Sequence, residues 1–275
     1  MNEDFRSQLM RIVALLEQRH GIGAPRGELP RWLEQRLTGA VQALLVARGI
    51  DVASLPEKLE REPELVVELA NAVCVGEKRF YRDAAQWEAL RRSFLPELWA
   101  RAPERLTALS AGCSTGEEAW TLAMLLSEGA PRKPTPAARF GVLGVDRSEL
   151  ALLTARSATY DLGSQRQLPR ELAQRFLQPA VDGSLSIVAD LQPLVTFRCH
   201  DLTLGVPPGS YAVIVCKNVL GLLDEAVRNR LLQALLDSLT DDGILLVARS
   251  EVALVHAHGG HALELAPDIT AFRAP

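Results

Sequence analysis

The chain has 275 residues, 48% of them hydrophobic and 23% charged, with a formal net charge of −4. That length serves one large domain plus a smaller one, with an ordinary charged share for a soluble globular protein. The acidic balance speaks against a nucleic-acid binder held by phosphate contacts, which needs a basic excess.

The first residues, MNEDFRSQLMR, lack the charged start and apolar stretch of a signal peptide. No apolar run approaches the ~20 residues that cross a bilayer. A cytoplasmic protein without membrane insertion is therefore expected. Residues 1–75 read as an all-helical N-terminal domain. Phe5, Leu9, Ile12, Val13 and Leu16 fall at helical spacing, with a stop at His20-Gly21. A second helix runs from Leu29 to Arg48, with Trp32, Leu33, Leu37, Val41, Leu44 and Leu45 on one side and Gly49 at its end. A third starts at Pro63 and carries Leu65, Val66, Leu69 and Val73. Short connections make this a small bundle.

Residues 76–105 form a linker and a first helix, whose Trp87, Leu90, Phe94 and Leu95 are core candidates. From Leu106 onward the texture changes, and residues 106–275 alternate strands with helices. LTALSAG is a strand entering a turn, EEAWTLAMLLSE a helix and PRKPTP (131–136) a loop. RFGVLGVD is a strand and SELALLTARSATY a helix. YAVIVCKNVL, DEAVRNRLLQALLDSLT and DDGILLVARS follow as strand, helix and strand. This order implies parallel β-α-β units in a doubly wound, Rossmann-like α/β sheet. Residues 162–200 break the alternation. VDGSLSIVAD and LVTFRC look like short strands, with a hairpin signal at Asp182-Gly183, and read as a small antiparallel β insertion.

Three segments carry candidate chemistry. Gly112 and Gly116 bracket Cys113, Ser114 and Thr115 between a strand and a helix, which lets backbone approach a ligand. The spacing is not G-x-G-x-x-G. Glu117 and Glu118 stand where a pyrophosphate otherwise sits, so they suit an amine-bearing ligand and repel phosphate. By spacing alone the segment is either a cofactor loop or a plain βα turn with acids favoured by the helix dipole. Asp146 ends the second strand, where an acid accepts from ribose hydroxyls, while Ser148 is placed to cap the next helix. His256, His258 and His261 form H-A-H-G-G-H with no acid or cysteine at ligand spacing, so no metal site is expected. Cys74, Cys113, Cys199 and Cys216 are scattered and read as free thiols of a reducing compartment.

Taken in order, GEKRFYRD (76–83), LSAGCSTGEE (109–118), LGVD (143–146), ARSATY (155–160), FRCHDL (197–202), VIVCKNVL (213–220) with Asp224, and DDGILLVARSE (241–251) resemble a chemotaxis receptor methyltransferase of the CheR type. That family is a protein-glutamate O-methyltransferase using S-adenosylmethionine (SAM) and releasing S-adenosylhomocysteine (SAH). The resemblance covers nearly the whole chain and implies a Rossmann-like SAM-binding domain with the β insertion and the N-terminal helices. It implies Arg82 as the residue presented to the reacting carboxylate. It implies cofactor contacts from Lys78, Arg82, Gly112, Glu118, Asp146, Asp201, Leu202, Asn218 and Val219. The implied partner is the cytoplasmic helical region of a chemoreceptor or a related signalling protein.

The departures from the family fall on the substrate side. In the family's N-E-T-x-F-F-R-D, Asn is Gly76 here and Thr is Lys78. In its C-R-N-V-x-I-Y-F-D, which spans Cys216 to Asp224, the Tyr position is Leu222. Two expectations follow: an active enzyme with altered substrate geometry, or a SAM- and SAH-binding regulatory protein with weak or no catalysis. The family docks receptors through basic residues on its second helix, where Arg31, Arg36 and Arg48 stand here. Residues 1–75 nevertheless hold eleven acids against nine bases, which reads as a solvated face.

Overall fold

The structure is a computed structural model describing residues 3–20, 31–74, 79–101, 106–130, 140–180 and 183–274. The chain divides into two compact units: Met1–Gly76 with Asn218–Arg230, and Glu77–Lys217 with Leu231–Pro275.

The first unit contains helices α1 (Glu3–His20), α2 (Arg31–Arg48), α3 (Leu55–Arg61) and α4 (Pro63–Cys74). Leu9, Ile12, Val13 and Leu16 of α1 meet Leu37, Val41 and Leu44 of α2 in one apolar cluster. Leu55, Leu59, Leu65, Val66 and Leu69 complete it. The helical spacing in the sequence thus marks the buried faces directly. Helix α3 has no counterpart in the sequence reading. It is only 7 residues long, too short for a periodic signal, and is started by Pro56 in its first turn. Gly49 takes a left-handed φ of +60° just past α2, as a helix stop does. The side chains of Trp32, Leu33 and Val73 lie outside the described residues.

The second unit opens with α5 (Ala84–Ala89) and α6 (Leu95–Arg101), joined by one π-helical stretch, Leu90–Phe94. Trp87, Leu90, Phe94 and Leu95 are buried, as their spacing predicts. There follow β1 (Leu106–Ala111), α7 (Glu117–Gly129), β2 (Phe140–Asp146), α8 (Glu149–Ser157) and β3 (Thr159–Tyr160). Next come α9 (Arg170–Phe176), β4 (Leu177–Pro179), β5 (Leu185–Ile187), β6 (Val195–Cys199) and β7 (Tyr211–Cys216). Helix α10 (Glu225–Asp237), grouped up to Arg230 with the first unit, leads to β8 (Leu239–Val247), α11 (Val252–His258), β9 (His261–Ala266) and β10 (Ile269–Arg273). The loop expected at 131–136 lies outside the described residues.

The main sheet has 7 strands in the order β6-β2-β1-β7-β8-β10-β9. The first five are mutually parallel, and β9 and β10 add an antiparallel edge. Every residue of β7 is buried, the mark of a parallel strand covered on both faces. The strand order reverses at β1 and β7, so the crevice beyond their carboxyl ends is the switch point where doubly wound sheets take ligands.

Two corrections to the sequence reading concern strand pairing. LVTFRC does not join the insertion: Val195–Cys199 is β6, running parallel to β2 from Val142↔Val195 to Asp146↔Cys199. As an edge strand it leaves Thr196, Arg198 and Cys199 exposed, and that alternation imitates an antiparallel strand in sequence. The small antiparallel sheet is instead β3-β5-β4, and starts earlier, at Thr159, because Ala158 ends α8 in a left-handed conformation. Its β4–β5 hairpin closes through Gly183 at φ +82°, with Ala180 N–H donating to Ser184 O at 2.9 Å. Asp182 lies outside the described residues. The H-A-H-G-G-H run is the end of α11, a turn at Gly259 and the start of β9.

The turn joining β1 to α7 depends on close packing at Gly116. Its φ is +94°, and a Cβ there would stand 2.7 Å from Ala155 Cβ on α8 and 3.0 Å from the Tyr160 hydroxyl. Gly116→Ala is therefore expected to destabilise the protein by about 1–3 kcal/mol through backbone strain and overpacking. Urea unfolding at equilibrium measures this, and an unchanged midpoint would remove Gly116 from the packing argument.

Candidate functional site

The crevice at the switch point is built from the ends of four parallel strands. Leaving β1, the chain turns at Gly112, whose φ is +82°. The N–H groups of Gly112 and Cys113 both donate to Val145 O, at 2.8 and 2.9 Å, fastening this loop to the end of β2. Ser114 adopts φ +48° and donates its N–H to Asp146 Oδ2 at 2.8 Å. Asp146 Oδ1 accepts from Ser148 N–H at 2.9 Å. Ser148 in turn caps α8 by accepting from Ala151 N–H at 3.2 Å, as its sequence position predicts. The cap role and the strand-end role thus belong to two residues. Burial raises the Asp146 carboxyl above its usual value, and the N–H groups of Ser148 and Ser114 oppose that rise. Two of about four lone-pair directions are spent on backbone, leaving acceptor capacity for ligand hydroxyls.

The adjacent acids of α7 part company. Glu117 is buried, and its Oε2 accepts from the Thr115 hydroxyl at 2.6 Å. Glu118 is half-buried and accepts from the Ser110 hydroxyl at 2.8 Å. The sequence reading aimed both acids at a ligand. One helical step of roughly 100° turns Glu117 inward and leaves Glu118 at the crevice. Burial raises the Glu118 carboxyl from 4.5 to about 7. Lys217 and Ser110 pull it down, Asp83 pushes it up, and Arg82 lowers it again. This is a carboxylate suited to a cationic amine and hostile to phosphate.

Arg82 sits in a turn of unusual backbone. Tyr81 and Asp83, on either side, both take left-handed conformations, at φ 59° and 61°. Each costs a non-glycine residue about 1–2 kcal/mol. Side chains and neighbours hold the shape. Tyr81 N–H donates to Thr121 Oγ1 at 3.1 Å, and its hydroxyl donates to Glu88 Oε2 at 2.8 Å. Glu88 pairs with Arg91, which also grips Glu128 through two contacts of 2.6 Å. From the end of β7, the Lys217 ammonium approaches Arg82 O at 3.4 Å and Asp83 Oδ2 at 3.8 Å, above the Trp87 ring at 4.4 Å.

Of the residues expected at the site, Arg82, Gly112, Glu118, Asp146, Asp201 and Leu202 all lie in the second unit. Asp201 follows β6, where His200 N–H donates to Asp146 O at 2.9 Å, and its own Oδ1 accepts from Thr203 N–H at 2.9 Å. Leu202 beside it is buried. Asn218 and Val219 continue the chain from Lys217 in the segment grouped with the first unit, with Asn218 at φ 59°. Lys78, with Gly76 and Glu77, lies outside the described residues. Sequence reasoning took in Ser110 only as the start of the segment 110–118, and missed Asp83 and Lys217. For Lys217 a signal existed: a lone cation directly after an all-apolar strand. Trp120 is packing, buried with its ring edge-on to Phe197. Among the described residues, no group of three or more His, Cys, Asp or Glu is placed to hold a metal. Among them, too, no single helix is long and apolar enough to cross a membrane.

Comparison with known proteins identifies a family. Residues 77–262 match the family described as "CheR methyltransferase, SAM binding domain". The chain is 29% identical over 193 residues to a chemotaxis protein methyltransferase of Vibrio parahaemolyticus, covering 70% of each chain. It is 30% identical over 193 residues to that of Vibrio anguillarum, again covering 70% of each. With that of Borreliella burgdorferi it shares 25% identity over 252 residues, 90% of this chain and 88% of the other. The residues present fit SAM: Glu118 offers a half-buried carboxylate and Asp146 keeps acceptor capacity at a strand end.

The raised Glu118 carboxyl has a consequence for stability. The unfolded chain ionises near the ordinary 4.5, whereas the folded chain holds its proton to about 7. Stability contributed by this group is therefore present below that window and lost as pH rises through it. Glu118→Gln is expected to stabilise the ligand-free protein by about 1–2 kcal/mol at pH ~8 and by nearly nothing at pH ~4. Urea unfolding at both pH values checks this; equal effects at both would contradict it.

Proposed function

The chain belongs to the CheR methyltransferase family, a family of SAM-dependent methyltransferases of chemotaxis, and from that premise we propose that it esterifies glutamate side chains of a chemoreceptor or a related signalling protein. The observation that supports the reading is that Arg82, on a clamped turn, lies close enough to the raised Glu118 carboxyl to act on its charge. When bound, SAM supplies an electrophilic methyl group that an ionised carboxylate takes directly.

Glutamate is already ionised at neutral pH, so no residue of this chain needs to act as a general base. What the protein provides is position. Arg82 presents a planar fork that holds a carboxylate by two N–H donors and fixes its line of approach. Glu118 anchors the amine of the cofactor's amino-acid end, and Asp146 accepts from its ribose hydroxyls. Asp201 and Leu202 flank the base. The resemblance adds Asn218, Val219 and Lys78 to these contacts. In this reading residues 1–75 form the receptor-facing domain and 106–275 the methyltransferase domain. The three arginines of α2 are a modest docking set: Arg48 pairs with Glu68 at 2.8 Å, and the side chain of Arg31 lies outside the described residues.

A second reading, a SAM- and SAH-binding regulator with weak or no catalysis, is favoured by one observation. Leu222, at the family's Tyr position, is buried and offers no hydrogen bond. Incubation with labelled SAM and receptor cytoplasmic fragments separates the two. Base-labile methyl transfer to a receptor supports the enzyme, and its absence across candidate receptors favours the regulator. Within the enzyme reading, Arg82→Lys keeps the charge but loses the fork. It is expected to lower kcat about 10–100-fold. A variant with wild-type kcat would remove Arg82 from the chemistry.

A further inference from the structure

Lys217 has no role in the reaction as argued so far, yet it is among the most constrained side chains of the second unit. It is 7% exposed at the carboxyl end of β7, beside the switch point. A lysine is seldom so buried without partners. The partners here lie along one short stretch of chain. The ammonium is 3.4 Å from the carbonyl of Arg82, 3.8 Å from the carboxylate of Asp83 and 4.4 Å from the ring centre of Trp87. It therefore grips the Arg82 peptide on one side and the left-handed residue after it on the other. Its charge also reaches Glu118, on which it exerts the strongest favourable electrostatic influence.

We propose that Lys217 is a positioning residue, tying the turn that carries Arg82 to the acid, Glu118, that meets the amine of the cofactor. The inference rests on the assignment of Glu118 to that amine. One cation shared between two parts of the site makes them interdependent. Glu118 stays receptive to an ammonium only while ionised, and Lys217 favours that ionised form. Burial lowers the Lys217 ammonium from its usual value, and Glu118 and Asp83 raise it back. The charged groups facing Lys217 are Glu118, Asp83, Arg82 and Glu251; those facing Glu118 are Lys217, Asp83 and Arg82, with the Ser110 hydroxyl.

The signs of three substitutions test the arrangement, read by calorimetry of the full chain with SAH from about pH 6 to about pH 8.5. Wild-type affinity is expected to climb about tenfold per pH unit below a midpoint near 7 and to flatten above it. Lys217→Met removes the favouring cation, so the midpoint moves up and affinity at pH ~7 falls about tenfold. Lys217→Arg restores the wild-type midpoint. Asp83→Asn, at an exposed residue, removes the opposing charge, so the midpoint moves down. A folded Lys217→Met with the wild-type midpoint overturns the inference, as do shifts of like sign in Lys217→Met and Asp83→Asn. If Lys217→Met fails to fold, Asp83→Asn decides, and no downward shift overturns the inference. Wild-type affinity that ignores pH overturns the inference and leaves the cofactor reading standing. Absence of SAH binding by the wild type overturns both.

Discussion

A carboxylate held half out of water at the head of α7 is the constraint on which the rest of the site depends. Glu118 sits in surroundings that disfavour its charge, raising it to about 7. The Ser110 hydroxyl at 2.8 Å and the buried Lys217 beyond it favour that charge, while Asp83 opposes it. In the proposed reading, a cationic group of the cofactor completes what the free protein leaves incomplete, so binding relieves a cost carried in the ligand-free fold. Placing this acid in the crevice requires the sharp turn at Gly112 and the close approach of α7 to α8 at Gly116. Both require the parallel pairing of β1 and β2 that holds the loop against Val145. Local backbone chemistry and long-range topology thus converge on one side chain.

Arg82 is placed by a different kind of force. Its neighbours occupy conformations that glycine would adopt freely, and packing on Trp87 with hydrogen bonds to Thr121 and Glu88 keeps them there. The cofactor loop is shaped mainly by glycines, whereas the arginine turn is shaped by contacts. The first is written in local sequence and the second in tertiary structure.

That difference accounts for how much was legible beforehand. The helices of the first unit and the buried strands of the second announce themselves through period and apolar runs, as Leu9, Ile12 and Leu16 or Val213, Ile214 and Val215 illustrate. The positions of Gly112, Glu118 and Asp146 at strand ends and a helix start were readable from the alternation of elements. β6 was misplaced because an edge strand of a parallel sheet shows the alternation of an antiparallel one. α3 was missed because seven residues give no period. The inward turn of Glu117 and the reach of Lys217 to Arg82, 135 positions away in sequence, depend on packing that no local window contains.

The left-handed residues around Arg82 carry a consequence for how such a protein diversifies. Because Tyr81 and Asp83 are not glycine, the turn has no intrinsic reason to keep its shape. Its geometry is a property of the surrounding shell: Thr121 on α7, Glu88 and Trp87 on α5, Lys217 after β7. Substitutions in that shell re-aim the guanidinium without touching it, leaving the cofactor loop as it is. In the proposed reading, substrate geometry and cofactor recognition are therefore free to drift separately, and the sequence carries that pattern: LSAGCSTGEE (109–118) keeps the form of the family, while Lys78 and Leu222 depart from it.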